Sequence, residues 1–166
     1  MNSEALTRLA IAFVLSYTTA GLGGALTDLG PWYFTLKHPG WKPPDAAFGV
    51  IWTTIFTLCA ISGWLAWQAA NTPALRRRVL VLFGVNAVLN ILWSALYFKL
   101  QRPDWALIEV VFLWASVLAL CVMLRPFSVL ASWLIVPYFV WVSFATILKV
   151  TAALGIQLHA QAIHAI

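Results

Sequence analysis

The sequence predicts an all-α membrane protein, a five-transmembrane-helix bundle folded as one domain over residues 1–166. Three observations lead there. Apolar residues make up 63% of the chain and charged residues only 9%, whereas a soluble domain needs roughly 25% charged residues to keep its surface hydrated. Five apolar runs are each close to the roughly 20 residues that a helix needs to cross about 30 Å of hydrocarbon. Between the runs, the prolines and most of the charges are gathered into short connecting segments that no continuous helix can cross.

The first run covers residues 5–26. Arg8, an apolar stretch and small residues near Ala20 imitate a cleavable signal, but Glu4 stands in the basic region and the small residues recur with helical spacing. Ala12, Ser16, Ala20 and Gly24 fall four apart and stack as one ridge, where a second helix can approach closely. A retained span is therefore expected. From Thr27 to Asp45 the chain is polar and aromatic, and Pro31, Pro39, Pro43 and Pro44 make it the longest loop. The second run, 46–68, closes at Asn71, Pro73 and Arg76-Arg77-Arg78. The third, 79–98, ends in a turn of Lys99, Gln101, Arg102, Pro103 and Asp104. The fourth, 105–124, stops at Arg125-Pro126, and the fifth, 129–154, passes through Pro137 and leaves a tail with His159 and His164.

A net charge of +5 at pH 7 on so apolar a chain reads as headgroup anchoring rather than nucleic-acid binding. Basic residues divide evenly between the two sides of the membrane. Arg8, Arg76–Arg78 and Arg125 lie on one side, and Lys37, Lys42, Lys99 and Arg102 on the other, so the positive-inside rule leans only weakly to a cytoplasmic N-terminus. Cys59 and Cys121 lie inside apolar runs and read as packing residues. No histidine has the spacing or partners of a metal site or a catalytic triad.

Ten tryptophans in 166 residues are the strongest anomaly. Trp32, Trp41, Trp105 and Trp133 stand near span ends, where indoles favour the interface. Trp52, Trp64, Trp93, Trp114 and Trp141 lie deeper, and there each N–H requires a partner from another helix or from a ligand. Asn86, Asn90 and Ser94 project from one face of the third span. Amides in hydrocarbon must be paired, either with other helices or with a ligand. Glu109 and Lys149 also fall within spans, where they either reach towards a helix end or pair with one another.

Further along this reading the residues form a pattern. Trp32-Tyr33, Leu36, Pro39, Trp41, Pro43-Pro44, Phe48 and Trp52-Thr53 are followed by Asn90 with Trp93, then Trp105-Ala106-Leu107 with Glu109. Pro137-Tyr138, Trp141, Phe144-Ala145-Thr146 and Leu148 complete it. Together they resemble the TspO/MBR family, the tryptophan-rich sensory proteins and the translocator protein or peripheral-type benzodiazepine receptor, over essentially the whole chain. The resemblance implies five helices around a pocket under the first loop, in a homodimer, that takes protoporphyrin IX or a related tetrapyrrole, sterols or synthetic ligands. No cofactor is required. By position, the ligand-binding residues would be Ala20 through Gly24, Trp41, Pro43, Pro44, Phe48, Trp52, Asn86, Asn90, Trp105, Glu109, Trp141, Ala145 and Leu148.

The resemblance leaves three functions in view: porphyrin binding for transport or sensing, light-dependent porphyrin degradation with Trp52 and Trp141 as the catalytic candidates, and a regulatory scaffold without turnover. Three departures bear on ligand choice. Lys149 stands where the family usually has Asn, and the Tyr of the sterol motif is missing, which weakens the sterol expectation. Phe56 replaces an aromatic hydroxyl, and Asn86 replaces a longer Gln. Lys42, His38 and Lys149 are the cations available to ligand carboxylates.

Overall fold

The computed structural model describes the backbone of residues 3–36 and 40–164, with side chains as far as Thr151. His38 therefore lies outside the described residues. Among these, the chain is helical with no strand, and five helices are long and apolar enough to span a membrane. They are α1 (Ser3–Leu26), α3 (Asp45–Ala69), α4 (Pro73–Ser94, continued by a π-helical segment Ala95–Lys99), α5 (Pro103–Met123) and α6 (Val129–His164, apolar over Val129–Thr151). A short helix, α2 (Pro31–Thr35), sits in the first loop.

Helix starts follow local chemistry. Pro31, Pro73 and Pro103 each occupy a first helical turn, where the missing N–H would be unpaired in any case. Thr72 caps α4, its hydroxyl accepting from the Leu75 N–H at 3.2 Å, and Ser128 caps α6 through the Ala131 N–H at 3.2 Å. The third span consequently begins at Pro73 rather than at residue 79. The three arginines belong to its first turns and project from helix instead of preceding it. Hydropathy marks the edge of hydrocarbon, whereas the cap marks the edge of the helix.

The long helices close into a ring. α1 packs on α3 and α4, α3 on α6, α6 on α5 and α5 on α4. The densest core lies where α3, α5 and α6 meet, around Ile55, Val117, Leu120, Leu124, Ile135 and Tyr138. Helix α1 is peripheral and buries only Ala5 and Gly23. Large apolar side chains point outward from every span, as with Val14, Val50, Val88, Phe112 and Val140. In lipid such exposure carries no penalty.

Polar bonds fix the registers. Ser62 Oγ donates to the Ala131 carbonyl at 2.7 Å, joining α3 to α6. Ser16 Oγ donates to the Phe56 carbonyl at 2.6 Å, and Tyr17 and Thr57 hydroxyls lie 2.9 Å apart, joining α1 to α3. Of the small-residue ridge on α1, Gly24 faces open space. The close approach is made by Gly23, where an added Cβ would stand 3.5 Å from Ser94 Oγ and 3.6 Å from Asn90 Oδ1 on α4.

Candidate ligand-binding site

The first loop is latched over the ends of the helices. Tyr33, buried on α2, donates to Asp45 Oδ1 at 2.9 Å, and Lys42 Nζ reaches the same oxygen at 2.6 Å. The Lys42 amine also lies 4.9 Å from the centre of the Tyr33 ring. Burial pushes the Tyr33 phenol above its ordinary range, with Lys42 opposing and Asp45 adding. For Lys42, burial pulls the ammonium down, but the bonds to Asp45 and Tyr33 outweigh it and hold it above the ordinary lysine value.

Beneath this latch stand two aromatic walls. The first comes from the loop, α3 and α6. Trp41 meets Phe144 edge-on at 5.5 Å, Phe144 stacks on Trp141 at 5.6 Å, and Trp141 meets Phe48 at 5.3 Å. Deeper on the same wall, Trp52 stacks on Phe56 at 5.6 Å and stands edge-on to Tyr138 at 5.9 Å. The second wall comes from α4 and its π-helical segment, with Trp93 stacked on Tyr97 at 5.2 Å and Trp32 edge-on to Tyr97 at 5.9 Å. These offset and edge-to-face arrangements are those that aromatic quadrupoles favour. The wall depends on the π-helical segment, which turns the adjacent residues Tyr97 and Phe98 both inward.

Lys149 joins the walls. From α6 its Nζ lies 3.6 Å from the centre of the Tyr97 ring and 5.9 Å from that of Trp93, although α6 packs on α3 and α5 rather than on α4. The side chain thus crosses the interior of the ring of helices. The Glu109–Lys149 pair is not formed. Both carboxylate oxygens of Glu109 are buried without a hydrogen-bond partner, as is the Trp141 indole nitrogen. Native structures rarely leave such atoms unpaired unless water, an ion or a ligand meets them.

The amide stripe is buried as a unit, Asn86, Asn90 and Ser94 all having less than a tenth of their surface exposed. Asn90 Nδ2 donates to the Tyr138 hydroxyl at 2.9 Å, and Asn86 Nδ2 to Ser116 Oγ at 2.8 Å. Both amides therefore serve helix-to-helix bonding. Among the deep tryptophans, Trp64 donates to the Ala5 carbonyl at 3.2 Å and Trp114 to Ser143 Oγ at 2.8 Å.

The structure brings Trp41, Phe48, Trp52, Asn90, Trp141 and, through Phe144, the neighbourhood of Ala145 to one region, with Leu148 buried beside Lys149. Pro43 and Pro44 lead into α3 next to the latch. Two of the sequence-derived residues stand apart. Trp105 is 57% exposed, its ring 5.6 Å from the Arg102 guanidinium, because the inward stripe of α5 runs through Ala106, Glu109, Val110 and Leu113. Gly24 is exposed, with Ala20 only half-buried one turn before it. Within the expected stretch Ala20 through Gly24 it is Gly23 that is buried, and sequence reasoning missed Tyr97 and Phe98. The aromatic pair was visible in the sequence but fell at a span end, where rings usually mark the interface.

Five long apolar helices around an interior lined with aromatic rings define a multi-pass integral membrane protein. A family model described as the TspO/MBR family matches residues 10–154. The chain belongs to that family. It is 36% identical over 140 residues to a Rhodobacter capsulatus protein called Protein CrtK, covering 84% of this chain and 87% of that one. It is 35% identical over 156 residues to the tryptophan-rich protein TspO of Chlorobaculum tepidum, covering 91% and 96%. The human translocator protein is 29% identical over 119 residues, covering 71% and 70%. Relatives thus include one named for translocation and, in Cereibacter sphaeroides, one named tryptophan-rich sensory protein.

Proposed function

We propose that this protein binds a flat tetrapyrrole such as protoporphyrin IX between its two aromatic walls and acts in the transport or sensing of that ligand. The observation that carries the reading is the buried, unpartnered polar set, Trp141 Nε1 and the Glu109 oxygens, within an aromatic interior that Lys149 crosses. Rings supply sequence of stacking faces to a planar macrocycle. The Lys149 amine supplies a charge-assisted partner for a propionate. The indole N–H supplies a donor, and Glu109 an acceptor for a pyrrole N–H. The latch of Tyr33, Lys42 and Asp45 holds the loop that a ligand entering from that face must pass.

Tryptophan fluorescence tests the reading. Titrating the purified protein with protoporphyrin IX gives saturable quenching, which weakens in Trp141→Phe. Absence of saturable quenching overturns it. Uptake by proteoliposomes, measured beside binding, then separates transport from sensing.

A further inference from the structure

A cavity of about 600 Å³ lies away from the latch, in the cleft between α1, α3 and α4. It falls within the roughly 300–1,000 Å³ of ligand sites. Its walls are low because the residues there are small: Ala12 and Ser16 on α1, Gly63 on α3, Gly84 and Ala87 on α4. A Cβ added at Gly84 would meet nothing within 4 Å.

Its length is that of one leaflet. The lining runs from Arg8 to Thr19 on α1 and from Arg76 to Ala87 on α4. Eleven residues at about 1.5 Å each reach about 16 Å, half of a hydrocarbon layer about 30 Å thick. Its two ends differ in chemistry. The inner end is apolar apart from Asn86 and Thr19, whereas the outer end carries two arginines and the rings of Trp64 and Trp67. Arg76 donates from Nε to the Ala70 carbonyl at 3.1 Å and lies 5.3 Å over the Trp67 ring. Its terminal nitrogens have no protein partner among the described residues. Arg8 donates to Gln68 at 3.1 Å and to Glu4 at 3.0 Å. Glu4 is 72% exposed, so that ion pair is weak and exchangeable. Arg77 and Arg78 follow on the same helix.

We propose that this cleft is a site for one anionic phospholipid, with its phosphate at Arg8 and Arg76 and one acyl chain along α1 and α4 to the level of Asn86. Charge complementarity selects this occupant over a second copy of the chain. A two-fold axis along the membrane normal would bring Arg8 and Arg76–Arg78 of both copies to the same end of one interface. The cleft shares Phe56 with the aromatic wall but has none of Trp41, Phe48, Trp141 or Lys149 in its lining, and its test does not involve a tetrapyrrole.

Native mass spectrometry of the whole protein, released from micelles holding equimolar phosphatidylglycerol and phosphatidylcholine, reads the proposal directly. One phosphatidylglycerol is retained in preference to phosphatidylcholine, by up to about thirty-fold for two interfacial cations. The Arg8→Gln/Arg76→Gln variant falls to parity, and Arg8→Lys/Arg76→Lys keeps the preference. Gly84→Phe, which fills the cleft, loses the retained lipid of either kind. Lys99→Gln/Arg102→Gln, at the other membrane face, changes nothing. If the double Gln variant does not fold, the Lys and Gly84 variants decide. No preference in the unaltered protein overturns the proposal, as does equal loss in the Lys99/Arg102 variant. Efficient Gly84→Cys disulfide dimers in vesicles would also overturn it, because a second copy would then occupy the cleft.

Discussion

Replacing Lys149 with methionine separates ligand recognition from structure. Methionine keeps most of the length and apolar bulk while removing the amine that lies 3.6 Å from the Tyr97 ring centre. In the unliganded protein two effects oppose. A desolvated cation over an aromatic face is worth about 2 kcal/mol, but bringing an ion out of water costs several kcal/mol. Lys149→Met is therefore expected to be at least as stable as the parent, with an unchanged or raised Tm in detergent. Binding behaves differently. A hydrogen bond to a charged group contributes about 1.5–3 kcal/mol, which is about ten- to a hundredfold in Kd. Fluorescence titration with protoporphyrin IX should show that loss, whereas its dimethyl ester, with no carboxylate to pair, should bind parent and variant alike. Equal weakening for acid and ester would refute the reasoning, since the lysine would then shape the site without recognising the propionate. So would full affinity of the variant for the acid.

Three further outcomes follow from the packing. Gly23→Leu should destabilise by about 1–3 kcal/mol through overpacking against Ser94 and Asn90, while Gly24→Leu, facing open space, leaves thermal unfolding unchanged. Asn90→Leu removes the 2.9 Å bond to Tyr138 and should cost about 0.6 kcal/mol, at most about 1.7. Adding Tyr138→Phe should recover part of that loss in a double-mutant cycle. The latch should hold at neutral pH and loosen in alkali. Lys42 and Tyr33 both have folded pKa values above their ordinary ones, so their contribution is complete below the unfolded values and is lost as pH rises through the folded ones. Exchange of the Gly40, Trp41 and Lys42 amides, corrected for the intrinsic base-catalysed rate, should accelerate there, and Asp45→Asn should bring the acceleration down to neutral pH.

Span number, loop positions and the deep tryptophans were legible in the sequence because each depends on local composition. Which face of each helix turns inward was much less so. In water a helix reveals its buried side by contrast with a polar one, but lipid is as apolar as a leucine core. Val14, Val50 and Phe112 therefore point outward while Ile55 and Val117 point inward, with nothing in their chemistry to tell them apart. Polar residues were the exception. Asn86, Asn90 and Ser94 announced the inner face of α4 by their cost in hydrocarbon, yet their partners Ser116 and Tyr138 lie 30 and 48 residues away. For Lys149 the sequence offers a helix end or a pairing with Glu109, and its resting place against Tyr97 is neither. Trp105 turned outward because one helical step decides whether it or Ala106 enters the bundle.

The π-helical segment also bears on how this chain tolerates changes in length. The Leu100 N–H bonds to the Ala95 carbonyl at 2.8 Å, five residues back, so the turn holds one residue more than an α-helical turn. Removing a single residue between Ala95 and Lys99 would let that turn relax to ordinary α-helix without shifting α4 before it. The helix would survive the deletion, but Tyr97 and Phe98 could no longer both face inward. A one-residue gap at this point would therefore mark relatives that keep the five-span scaffold while rebuilding one aromatic wall.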